Sequence, residues 1–266
     1  MPEGKQKGKI AKGNQTQHLN NHKFNRPMFQ FEICVTNLAS VIAAHRAGAD
    51  RVELCAALDV GGVTPSIGLV RAAVRVGIPV YVLIRVREGD FCYSDAEVGI
   101  MLDDIRACRE AGAKGVVIGA LQRDGQLHLL QLRAMREAAG PMDVTCHRAF
   151  DSIPDPLAAL DQLAELGIRR VLSSGQAETA YAGRWLLQKL VEYAAGRVAV
   201  MPGAGISAAN IREIAEVSGA TNFHFTGKKK VVQAMEGGLP GLETWWWESD
   251  AGMIGGVMAA LTPAPS

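Results

Sequence analysis

Four short runs in this chain each deliver a chemically active group. Phe31-Glu32-Ile33-Cys34 and Arg51-Val52-Glu53-Leu54-Cys55 each carry a carboxyl followed two residues later by a thiol. Val80-Tyr81-Val82-Leu83-Ile84-Arg85 ends in a guanidinium, and Val144-Thr145-Cys146-His147-Arg148 ends in an imidazole and an arginine, with Asp151 close behind. In a β-strand alternate side chains share a face. Gln30, Glu32 and Cys34 therefore stand together, as do Arg51, Glu53 and Cys55. The same parity groups Tyr81, Leu83, Arg85 and Arg87, then Asp143, Thr145 and His147, then Leu172 and Ser174, and finally Asn222, His224 and Thr226. In a parallel barrel the outward face packs on helices and is apolar, so these polar sets belong inside and converge at the C-terminal mouth.

Two chemistries suit such a mouth. A soft metal ion prefers thiolates, and Cys34 and Cys55 share inward parity on neighbouring strands, whose spacing permits a near-linear two-thiolate site. An enzyme site is the alternative. In it His147 is the general acid–base, Glu32 or Glu53 orients it or acts as a second base, and Arg85 grips an anionic group in bidentate fashion. The turns Ser174-Gly175-Gln176 and Pro202-Gly203-Ala204-Gly205-Ile206-Ser207 are placed to cradle a phosphate, with Ser174, Gly203, Gly205 and His224 as candidate contacts. Purely structural roles are also open: Glu32, Glu53 and Arg85 can satisfy one another, and two small thiols can fill a tapering barrel.

The elements that must position these groups follow from periodicity. Strands are expected near 29–35, 51–55, 79–86, 115–120, 142–147, 169–174, 197–202 and 221–226, alternating with helices near 37–48, 65–77, 95–112, 127–139, 155–166, 180–195 and 207–218. A final helix over 250–261 is weakened by Gly252, Gly255 and Gly256. The alternation predicts an α/β chain, a single-domain (β/α)₈ TIM barrel over residues 28–262. No dinucleotide fingerprint follows the first strand, which disfavours an open doubly wound sheet. Residues 1–27, rich in Lys, Gly, Asn and Gln, are expected to be a disordered tail. The Trp245-Trp246-Trp247 run reads as an apolar contact patch or as part of a docked helix, and Lys228-Lys229-Lys230 as a solvated loop.

Composition narrows the function classes. A 266-residue chain with 48% hydrophobic content and a net charge of +1 can bury a large core and shows no basic stripe for nucleic acid. No apolar run approaches the roughly 20 residues of a membrane span. Five cysteines without the dense spacing of a secreted scaffold are expected to be reduced thiols in the cytoplasm.

Longer motifs carry a resemblance. Glu32-Ile33-Cys34, Asp50 to Cys55, Gly61-Gly62-Val63-Thr64-Pro65-Ser66, Gly89 to Asp95, Thr145 to Asp151, Arg170 to Gly175, Met201 to Ile206 and Phe223-His224 resemble the CutC family of copper homeostasis proteins over about residues 29–226. The resemblance implies a cytoplasmic (β/α)₈ barrel that forms homodimers or homotetramers, and a role in copper handling with Cys34 and Cys55 as Cu(I) ligands. No organic cofactor is implied. The chain departs from the family pattern at Cys146, where an aromatic is expected, and after His224, where Phe225 to Lys230 replaces a serine-rich stretch.

Overall fold

A computed structural model describes residues 29–232 and 244–261. The expected tail over 1–27 lies outside the described residues. Eight strands alternate with helices in the order β1 (Gln30–Val35), α1 (Leu38–Ala47), β2 (Arg51–Leu54), α2 (Ile67–Val74), β3 (Val80–Leu83), α3 (Asp95–Glu110), β4 (Gly115–Ile118), α4 (Leu129–Ala139), β5 (Asp143–Cys146), α5 (Pro156–Glu165), β6 (Arg170–Ser173), α6 (Arg184–Ala194), β7 (Ala199–Pro202), α7 (Ile211–Ser218) and β8 (Asn222–Phe225). All the ladders in this sheet are parallel, each strand pairing with its predecessor from β1 to β7, and β8 pairs with β1. The result is a nearly closed (β/α)₈ barrel, with its seam between β7 and β8.

Local chemistry sets the helix starts. Asn37, Ser66, Ser94 and Asp155 each accept a backbone N–H of the first turn that follows. Ser94 does so within a reciprocal capping box with Glu97, and Pro156 takes the first position of α5. Apolar residues of outward parity, among them Ile33, Leu54, Ile84 and Ile118, are fully buried against the helices.

Inside, the barrel floor is polar and paired. The guanidinium of Arg51 donates to Glu32 Oε2 at 2.6 Å, to Gln30 Oε1 at 3.0 Å and to Asn222 Oδ1 at 3.3 Å. The Tyr81 ring lies between Arg51 and Arg170, whose Cζ atoms stand 5.5 and 5.3 Å from its centroid, and its hydroxyl donates to Asp143. Gly115 leaves room for that ring, because a Cβ there would sit on Tyr81. Above this layer Cys34, Cys55, Leu83 and Val117 pack as a small apolar collar.

Two expectations are corrected. The third strand ends at Leu83, so parity fails beyond it: Arg85 stays buried, while Arg87 leaves the barrel and pairs with Asp90 and Glu97. The lysine and tryptophan runs are neither a loop nor a helix. They form β9 (Lys228–Val232) and β10 (Trp245–Ser249), an antiparallel pair in which Lys228 lies over the Trp247 ring and Lys230 over the Trp245 ring at 4.2 and 4.1 Å. This arm is tied to α1 by Asn37 Nδ2 donating to Trp247 O and by Ser249 N donating to Ser40 Oγ. Helix α8 (Ala251–Ala259) follows, capped by Asp250.

Candidate functional site

The strand ends converge on a cavity of about 500 Å³ at the C-terminal mouth. Among the residues that line it are Cys34, Glu53, Arg85, His147, Gly205 and His224, brought from β1, β2, β8 and the segments just after β3, β5 and β7. Register explains the meeting: Cys34 is opposite Glu53 on the β1–β2 ladder, and Glu32 is opposite His224 on the β1–β8 ladder.

At the cavity floor one ligand atom from each of Cys34, Glu53 and His224 lies within 4.8 Å of the other two, all three residues being buried. Cys55 stands just behind, its sulfur 3.8 Å from that of Cys34. A linear two-thiolate bridge needs roughly twice a 2.3 Å metal–sulfur bond. The sulfurs sit closer than that, so the near-linear geometry expected from strand spacing is not what they adopt. Cys34, Glu53 and His224 are the residues that could hold a metal ion here, with Cys55 beside Cys34.

Protonation at the floor follows from burial and neighbours. Burial pushes the Glu32 carboxyl up, but the hydrogen bond from His224 and the charge of Arg51 outweigh it and hold Glu32 down at about 2. Burial pushes Glu53 up to about 7, with the charge of Glu32 adding to the effect and that of His224 opposing it. Burial disfavours charge on His224 too, yet Glu53, Cys34 and Glu32 raise its imidazole well above the ordinary histidine range. The Cys34 thiol is raised by its hydrogen bond with Cys55 and by burial. Glu32 itself does not line the cavity; it sits beneath, accepting from Arg51 and in hydrogen-bond contact with His224 Nδ1 at 2.9 Å.

The opposite wall is different. His147 caps the short 3₁₀ turn Arg148–Ser152, its Nδ1 accepting the Ala149 N–H at 3.1 Å. The ring hydrogen is thereby placed on Nε2, which is buried and has no partner. Burial and the nearby Arg85 charge hold this imidazole down at about 3, so it is neutral. Gly119 makes the room, since a Cβ there would run into the ring. Arg85 gives Nη1 to the carbonyls of Val60 and Gly62 and Nη2 to that of Gly89, pinning the loops after β2 and β3.

The phosphate-loop residues divide. Gly205, with φ of 71°, lines the cavity, whereas Gly203 is where a Cβ would strike Leu172 and crowd His224. Ser174 is buried outside the lining: its hydroxyl meets Asp151 Oδ2, Ala177 O and Arg148 Nη2. Asp151 also receives the Ser173 hydroxyl and the Ser174 and Gln176 N–H groups, clamping the β5 and β6 loops together. Phe91, which strand parity does not reach, lies over Arg85 and against His147.

A family model for the CutC family matches residues 29–229. The chain belongs to the CutC family. It is 47% identical over 200 residues to a CutC family protein of Pasteurella multocida, an alignment covering 75% of this chain and 82% of that one. The human protein named copper homeostasis protein cutC homolog is 46% identical over 201 residues, covering 75% and 74%. The crystal structure of a CutC from Streptococcus agalactiae superposes with a TM-score of 0.72 at 35% identity, over 75% of this chain and 99% of that one. The family match ends at residue 229, inside β9, so β10 and α8 lie beyond it.

Proposed function

We propose that this CutC-family chain binds one Cu(I) ion at the floor of its barrel mouth and serves in copper homeostasis. The observation that carries the reading is the convergence of Cys34, Glu53 and His224 within 4.8 Å, with the Cys55 thiol alongside. A soft cation selects thiol sulfur and imidazole nitrogen from this set. Leu83 and Val117 pack around the two thiols. All five cysteines are free, which suits a reducing compartment, and we place the protein in the cytoplasm as a homodimer or homotetramer. Among the described residues no helix is long and apolar enough to cross a membrane.

The test is an anaerobic Cu(I) titration of purified protein against a competing chelator. One equivalent is expected, lost in the Cys34→Ser/Cys55→Ser double variant and weakened in His224→Gln. Binding that ignores all three substitutions would remove copper from the function of this site. Light scattering on the same sample reads the assembly.

A further inference from the structure

Arg85 is 6% exposed, and its guanidinium is a permanent cation. A buried cation requires a compensating anion. The groups around its guanidinium are all neutral: it donates to the backbone carbonyls of Val60, Gly62 and Gly89, and the Tyr93 hydroxyl stands beside it, while its Nε has no hydrogen bond of good geometry. Arg51, the other arginine this deeply buried among the described residues, is paired with Glu32, and even the less buried Arg170 and Arg184 are paired, with Asp143 and Glu213. Among the described residues no carboxylate lies within ion-pair distance of Arg85.

His147 lines the same cavity at 5% exposure, and its Nε2–H also lacks an acceptor. Phe91 joins the two, its ring centroid 5.1 Å from Arg85 Cζ and 4.8 Å from the imidazole centroid. Two neighbouring buried donors, one cationic and one neutral, are thus left without the same kind of group. We propose that the mouth binds a small organic anion whose carboxylate or phosphate group compensates the Arg85 guanidinium and accepts from His147 Nε2. Leu58, Val60, Leu172 and Ile206 supply an apolar wall for a few carbons, and Lys228 adds positive charge to the lining. Both donors persist at physiological pH, because His147 stays neutral there.

Neither Arg85 nor His147 belongs to the Cys34, Glu53 and His224 set, so the proposal stands apart from copper binding and is tested on the metal-free full chain. Histidine side chains are labelled with ¹⁵N, and the His147 Nε2–H resonance is followed by NMR during titration. The probes are acetate and pyruvate in one arm, inorganic phosphate and glycerol 3-phosphate in the other. A saturable downfield shift of that proton is expected in one arm, and the arm that saturates names the head group. His147→Asn removes the Nε2–H while an Asn side chain can still cap the Ala149 N–H. It is expected to keep the thermal midpoint close to that of the parent and to weaken binding roughly tenfold, the loss of one charge-assisted hydrogen bond. The proposal fails if the resonance stays fixed with every probe at millimolar concentration, or if His147→Asn folds and binds the probe as tightly as the parent.

Discussion

Two histidines face one cavity and are driven to opposite protonation states by what surrounds them. His224 sits among carboxyls and a thiol and holds its proton, while His147 sits beside Arg85 and Phe91 and refuses one. The refusal has a thermodynamic sign. The unfolded chain protonates this histidine near its ordinary value, whereas the folded chain does so only near 3, so its contribution is intact at neutral pH and is lost as pH falls. The denaturation midpoint of the parent is therefore expected to drop, relative to His147→Asn, between about pH 7 and pH 5. Parallel profiles for the two proteins would show that the ring is not neutral as placed. At this scale strand parity foretold the inward faces of Glu32, Cys34, Glu53 and His224, because period-two geometry is written in the chain. It did not reveal that Arg85 spends its donors on loop carbonyls, or that Asp151 captures Ser174. Both partners lie in irregular segments whose course no periodicity encodes.

Helices and strands were legible to within a few residues, since caps such as Asn37, Ser94 and Asp155 and the apolar alternation all point the same way. The β9–β10 arm was not. Three tryptophans suggest a contact surface, but aromatics favour pleated backbone, and Lys228 and Lys230 on the facing strand cover two of the rings, those of Trp247 and Trp245. Strand β4 offers the sharpest test of how an element serves the site. Gly115 and Gly119 bracket it, one admitting the Tyr81 ring at the floor and the other the His147 ring at the mouth. Both alanine variants are overpacked and are expected to lose about 1–3 kcal/mol in denaturant titrations. They should differ in the site: Gly119→Ala displaces His147, whose Nε2–H resonance then moves, and Gly115→Ala leaves that resonance in place.

At the level of the whole molecule, the donors proposed for copper come from opposite ends of the chain. Cys34 and Glu53 lie on β1 and just beyond it on β2, and His224 on β8. Holding them together stabilises the closed barrel over the open one. Saturating Cu(I), at about a hundred times its dissociation constant, is expected to add about 2.7 kcal/mol to unfolding, and none to the Cys34→Ser/Cys55→Ser variant. A metal that raises both proteins equally is bound elsewhere. The ladder between β1 and β8, with Glu32 and His224 separated by 192 positions, has a further consequence for biogenesis. A ribosome-bound chain exposes both thiols early but lacks His224 beside them until β8 emerges and docks on β1. The donor set proposed for copper is thereby incomplete until β8 is made, and a product terminated before it carries the cysteines without His224.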